Sequence, residues 1–465
     1  MEVLKIQYRH IFILQICCLY ENDSRICYFE KTGGREMRKG FVGFLILIFA
    51  AGCSGNNQQT EEIQSDRKTE NLVVYTMEED LYADQAVGNF QKAYPETEVE
   101  VRKIPYDDLE EQRTVIAAEF MAGDGGDLYL NADDYFDDLY KMQESGLMED
   151  LMPWFREDPD FSEEDYVDGT FDLYEDEEDC FVIPIYSGFS YYFLFNDRLQ
   201  ELGADPVEAE DMEEMIRTVW KFYEKYPEET AFSSHSPYYA GPEWLGFRVA
   251  EGNLEVFDSP VLRQMEELYK RQVYPEGESI LTYDTEQSMR EQEEILRGER
   301  CCLGKLGGIF QLEEYIRMGG EEQATIAGIG TDGPAVSCDG ENFISAGSGN
   351  KEMAFELLKM YMEEVFHSAG TTTVNKETNR TLMENIRNQY GRDQVVIDEK
   401  TYPGLTEKTF GKLEADLDRM AVYPQTSYEV SGKYREMMEP FYTGEASFDR
   451  CMGEFKEYMG IYYSE

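Results

Sequence analysis

The stretch NLVVYTMEEDLYADQAVGNFQKAYPETEVEVRKIPYDDLEEQRTVIAAEFMAGDGGDLYLN, residues 71–131, decides the fold. Its first six residues form a β-branched and aromatic run that reads as a buried strand. Leu81, Ala86, Val87, Phe90 and Tyr94 then recur at helical spacing, which predicts a helix over 80–94 that Pro95 ends. Residues 98–104 alternate and read as a second strand. A second helix follows over 109–121, closed by Gly123-Asp124-Gly125-Gly126, and residues 127–131 read as a third strand. This β-α-β-α-β order implies an α/β fold with a parallel sheet and crossover helices. Ligands on such sheets sit beyond the C-terminal strand ends. That places Met77-Glu78-Glu79 and Ala132-Asp133-Asp134 on one rim.

Upstream, Met37-Arg38-Lys39 precedes an apolar run, Phe41 to Ala51, and then Gly52-Cys53. The run is too short to span a bilayer, which takes ~20 residues, and has the length of a secretory signal. Phe49-Ala50-Ala51-Gly52-Cys53 resembles a lipobox, so Cys53 is the expected lipidation site and residues 37–53 the signal peptide; an uncleaved anchor is the alternative. A thioether-linked diacylglyceryl would supply the two chains that stable anchoring takes. Residues 54–70 are polar and read as a flexible linker. Residues 1–36 fit none of this and read as a mis-called, disordered start ahead of a true start at Met37.

The formal charge is −54, with 42 Lys and Arg against 96 Asp and Glu. A surface of that sign repels nucleic acid and anionic lipid. Hydrophobic residues make 42% and aromatic residues 14% of the chain, a globular composition with length for two large lobes. The five cysteines after Cys53 (Cys180, Cys301, Cys302, Cys338 and Cys451) contain no C-x-x-C and read as buried thiols. Only His235 and His367 follow the signal, which argues against a histidine metal site or a catalytic triad. Neither a metal nor a cofactor is expected.

Residues 160–179 hold eleven Asp and Glu. A calcium loop started at Asp158 puts Glu163 where Gly is required and Gly169 where Glu is required, so the run reads as a solvated acidic face. Residues 180–197 form two apolar runs around Pro184 and Gly188 that read as extended segments crossing between lobes. Helices are expected over 211–226, with Trp220 in its core, and over 260–272, 288–297 and 351–366. Short strands are expected at 301–306 and 324–329, and the C-terminal third reads as helical.

The chain resembles the solute-binding lipoproteins of ABC transporters, extracellular family 1, which include the maltose-binding proteins. The carriers are Phe90-Gln-Lys-Ala-Tyr-Pro-Glu96, Gly126-Asp-Leu-Tyr129, Phe195-Asn-Asp-Arg-Leu199 with Leu202-Gly203, Leu296-Arg-Gly-Glu299, Ser345 to Ala354, and Phe441 to Ser447. The resemblance implies two α/β lobes joined by a hinge, a type II periplasmic-binding-protein-like fold in which each lobe has a mainly parallel sheet flanked by helices. The lobes would be 71–183 with 332–372, and 186–328 with 374–465. It implies an extracytoplasmic, lipid-anchored monomer that hands a small solute, a mono- or oligosaccharide, to a membrane permease and catalyses nothing.

The resemblance also places candidate ligand residues. Asp133 and Asp134 match the family's sugar-binding acid, and Tyr238, Tyr239 and Trp244 match the position of a stacking aromatic, with Tyr428 near another. Glu78 and Glu79 would suit a cationic or amino-sugar group. The segment Leu306 to Gln311 lacks the Trp common in the family, which leaves the sugar class open. Each acid has a solvated-surface alternative and each aromatic a core-packing one. A polyamine or ferric-iron binder, or a secreted glycan-active enzyme, is the alternative function.

Overall fold

The computed structural model of the chain describes residues 71–106, 109–173, 179–188, 190–204, 212–233, 254–279, 285–328, 335–368, 370–423 and 427–464. Residues 1–70, with Cys53 and the expected signal and linker, lie outside the described residues. The strands are β1 (Asn71–Met77), β2 (Glu98–Ile104), β3 (Leu128–Tyr129), β4 (Tyr186–Gly188), β5 (Ser190–Phe195), β6 (Gly304–Gly308), β7 (Ala324–Gly328), β8 (Ala335–Asp339), β9 (Phe343–Ile344), β10 (Gln394–Ile397), β11 (Lys400–Pro403) and β12 (Ala421–Tyr423). The α-helices are α1 (Leu81–Ala93), α2 (Leu109–Met121), α3 (Leu139–Glu144), α4 (Met152–Glu157), α5 (Asn196–Leu202), α6 (Met212–Lys225), α7 (Pro260–Val273), α8 (Thr285–Leu296), α9 (Leu312–Arg317), α10 (Lys351–Ser368), α11 (Lys376–Tyr390), α12 (Glu407–Asp418), α13 (Tyr428–Tyr442) and α14 (Phe448–Tyr462).

The first sheet has the order β2-β1-β3-β9. β1 pairs in parallel with β2 and β3, as the alternation predicts, and β9 closes the edge antiparallel to β3. Successive side chains of β1 point to opposite faces. Leu72 and Val74 pack with Phe90 of α1 and with Leu358 and Tyr361 of α10. Val73, Tyr75 and Met77 pack with Ile116 and Phe120 of α2. The first crossover runs from β1 out to the edge strand β2 and the second runs back past β1 to β3; two right-handed crossovers in opposite directions put their helices on opposite faces. The rings of Tyr75, Tyr129 and Phe343 stack across β1, β3 and β9 at 5.0 and 4.7 Å. Such pairs add about 1 kcal/mol each beyond burial.

The second sheet has the order β6-β5-β7, with β5 antiparallel to both neighbours. The first sheet is thus mainly parallel, as expected, whereas the second is antiparallel where a mainly parallel one was expected. Tyr192 and Leu194 face α6 and α7, and Trp220 packs at the edge of that cluster, in its core role. Four extended segments lie together in a further small sheet. β4 and β8 pair antiparallel, β12 pairs parallel to β8, and Val374 returns its amide to the carbonyl of Ile185 at 3.0 Å. The predicted crossing run from Cys180 thus does cross, and it meets the other crossings in one small sheet.

The remaining differences are local. The third strand is two residues long because Asn131 turns left-handed at φ 53°. The strand expected at 301–306 runs from Gly304 to Gly308. The helical C-terminal third contains an unforeseen hairpin, β10–β11. The acidic run keeps Glu163, Glu164, Asp165 and Asp168 exposed, while 174–178 lie outside the described residues. Cys180, Cys302, Cys338 and Cys451 are buried free thiols and Cys301 is half-buried.

Candidate functional site

β1 and β3 lie side by side, so the segments after them form one rim. Glu78 and Glu79 are exposed in the turn that leaves β1. Asp80 follows them and organises the rim. One carboxylate oxygen caps α1 by accepting the amides of Tyr82 at 3.0 Å and Ala83 at 2.9 Å, the role that favours Asp at this position. The other accepts from Asn131 Nδ2 and the Tyr361 hydroxyl, both at 2.9 Å, and from Thr76 Oγ1 at 3.1 Å.

Asn131 sits in the left-handed region, where Asn is better tolerated than most residues. Its amide donates to Asn342 Oδ1 at 3.1 Å. The buried guanidinium of Arg113 donates to the carbonyl of Asp134 at 2.7 and 3.2 Å. The loop that carries the predicted acids is therefore fixed at both ends.

Within it, the carboxylate of Asp133 accepts the amide of Glu341 at 2.8 Å and that of Gly340 at 3.2 Å. Part of the residue stays exposed, but its carboxyl is surrounded by protein. Burial first, then the charges of Asp339, Glu341 and Asp134, push its pKa well above the usual carboxylate range. Asp134 is half-buried beside it. Gly340 has φ 68°, and a Cβ there would stand 2.8 Å from the ring of Tyr186 and 3.0 Å from Asn131 Oδ1. Glycine lets the third sheet approach the rim.

Tyr186 opens the first crossing segment. Burial, then the nearby Asp80, Tyr82, Asp339 and Tyr106, hold its phenol well above the ordinary range. The arrangement thus joins carboxylates and phenols where the first sheet meets the crossing segments. It can grip hydroxyl or amine hydrogens through carboxylates and present ring faces to apolar surface.

Asp133, Asp134, Glu78 and Glu79 are thus brought to one rim. Tyr238, Tyr239 and Trp244 lie outside the described residues. Tyr428 is the first residue of α13, and its side chain lies outside them. The sequence reading missed Asp80, Asn131, Tyr186 and Asp339. Asp80 ahead of a helical run was a readable cap signal; Asp339 is more than two hundred residues from Asp133 and carried none. Among the described residues no group of three or more His, Cys, Asp or Glu side chains could hold a metal ion. Among them, too, no helix is long and apolar enough to cross a membrane.

Residues 75–280 match the profile of the bacterial extracellular solute-binding proteins. That stretch, somewhat under half of the chain, is similar to that family. Among solved structures, the chain is similar to the sugar-binding protein MalE from Xanthomonas citri, at 16% identity and TM-score 0.56 over 84% of this chain and 96% of that one. It is similar to a family 1 extracellular solute-binding protein from Bifidobacterium longum subsp. infantis, at 14% identity and TM-score 0.54 over 83% and 98%. It is also similar to the ABC substrate-binding protein Lmo0181 from Listeria monocytogenes, at 14% identity and TM-score 0.52 over 85% and 99%. At such identities the likeness establishes the two-lobe fold. No curated protein matches the chain.

Proposed function

We propose that the chain captures a mono- or oligosaccharide between its lobes and delivers it to the permease of an ABC importer. The carrying observation is the rim itself: the carboxylates of Asp80, Asp133, Asp134 and Asp339 gather with Tyr186 where the first sheet meets the crossing segments. Carboxylates that accept hydroxyl hydrogens, beside ring faces that cover C–H surface, suit a sugar. Two of the similar structures are described as a sugar-binding protein and as a complex with cycloalternan, which supports the same class.

The lobes are taken as 71–183 with 332–372 and 186–328 with 374–465, closing about the crossing segments. Glu78, Glu79, Asp133 and Asp134 serve the first lobe's side of the cleft. Tyr238, Tyr239, Trp244 and Tyr428 serve the other. The body is a monomer on the extracytoplasmic face, held by lipid on Cys53, and it performs no catalysis.

A thermal-shift screen of sugars, with scattering to follow closure, tests this reading. One sugar is expected to raise the melting temperature by mass action and to compact the protein. A shift with a polyamine or ferric iron and none with any sugar would overturn the sugar class; product formed from an oligosaccharide would overturn the binder reading.

A further inference from the structure

Helix α3 looks two ways. Leu139 packs into the core with Tyr129 and Phe136 of the first lobe. Its neighbour Tyr140 packs instead against a separate cluster built by α7, α13 and α14. The N-cap of the same helix, Asp138, also divides its carboxylate. One oxygen accepts the amide of Lys141 at 3.0 Å. The other accepts the hydroxyl of Tyr462, from the last turn of α14, at 2.6 Å across 324 residues of chain.

Tyr140 and Tyr462 stack with ring centroids 6.3 Å apart, and the ammonium of Lys141 stands 4.7 Å from the Tyr462 ring centroid. Ser427, the cap of α13, also hydrogen-bonds the Tyr462 hydroxyl. Burial, then the Asp138 charge, keeps that hydroxyl protonated, as a donor must be. The contact joins two places next to the proposed cleft: Asp138 closely follows Asp133 and Asp134 on the rim loop, and Ser427 immediately precedes Tyr428.

We infer that Asp138 and Tyr462 form a latch between the lobes, one that holds them together and sets how readily the cleft opens. The inference rests on the reading of the chain as a two-lobe binder. Opening a hinge at the crossing segments separates α3 from α14, so the hydrogen bond is made only in the joined arrangement. A ligand that binds the closed form gains apparent affinity in proportion to the closed population. A hydrogen bond to a charged acceptor is worth roughly a factor of ten or more in such an equilibrium.

The test compares the full chain with Tyr462→Phe and Asp138→Asn. Phenylalanine keeps the ring stack, and Asn keeps an oxygen for the Lys141 amide. Small-angle scattering without ligand should show a larger radius of gyration in each variant, at a melting temperature close to wild type. In a double-mutant cycle the pair should be worth no more than either single change. An unchanged radius in both variants overturns the latch, and so does a lower melting temperature with an unchanged radius, which marks packing alone. A parallel titration with maltotriose and the sugar panel separates the two readings. If no sugar compacts wild type while the variants still expand, the sugar reading fails and the latch stands.

Discussion

Asn131 donates its side-chain amide to the carboxylate of Asp80 at 2.9 Å, tying the end of β3 to the cap of α1. Those two segments are the rim, so one carboxylate fixes both the helix start and the loop that carries the predicted acids. Asp80→Ala removes a cap, which costs about 1 kcal/mol. It also leaves the Tyr361 and Asn131 donors short of an acceptor, at about 1–3 kcal/mol. The expected loss is about 2–4 kcal/mol, read as a lower urea midpoint at unchanged slope.

Asp133 gives a pH-dependent expectation. Its folded pKa is raised, so its contribution to stability is fully present below its unfolded value and is lost as pH rises through the folded one. Asp133→Asn keeps an acceptor for the Glu341 amide and removes a charge from beside Asp339, Glu341 and Asp134. The variant should melt above wild type at pH 8, and the two should converge toward pH 4. Equal melting temperatures at both pH values would show that the carboxyl is not strained there.

Much of the first lobe was legible because local pattern and tertiary burial agree there. The alternation of residues 98–104 is the strand β2, and Val73 and Val74 go to the two faces that period two assigns them. The site was legible only as a location. That Asp133 lies on the rim follows from topology, but that its oxygens accept from Gly340 and Glu341 depends on a strand that pairs two hundred residues later. Sequence order carries no signal for such a contact. The β10–β11 hairpin was missed for another reason. Its turn residues are Asp398 and Glu399, not the Asn-Gly or Asp-Gly that mark a two-residue hairpin.

That turn makes its own prediction. Ile397 pairs with Lys400, so Asp398 and Glu399 form the whole loop, at φ 48° and 64°. A residue with a Cβ held left-handed costs about 1–2 kcal/mol, which glycine avoids at some loss of chain entropy. Glu399→Gly should raise stability by about 0.5–1 kcal/mol, seen as a higher urea midpoint. A neutral or lower midpoint would mean that the Glu399 side chain contributes more than its backbone costs.

The proposed anchor is checked at Cys53. If the thiol carries the lipid, Cys53→Ala should move the protein from the detergent phase to the aqueous phase, and translation from Met37 should yield the same membrane-bound product as the full reading frame. A variant that stays in the detergent phase would point to an uncleaved apolar anchor over 41–51.

Glu266 offers a test far from the rim. It is fully buried on α7, and its carboxyl oxygens accept the hydroxyls of Tyr434 and Tyr442 from α13. Burial raises its pKa from 4.5 to about 7, and the two phenol donors only partly offset the rise. Between those values the unfolded chain is ionised while the folded one holds its proton. Stability from this group is therefore complete below pH 4.5 and is lost as pH climbs to about 7. At 1.36 kcal/mol per pKa unit, the difference is about 3 kcal/mol. Glu266→Gln cannot ionise and can still accept at its amide oxygen. The variant should remove this leg from the stability–pH curve, standing below or level with wild type at pH 4.5 and above it at pH 8. Parallel curves for the two proteins would show that the carboxyl ionises in the core without cost, and that the two tyrosine hydroxyls suffice to hold its charge.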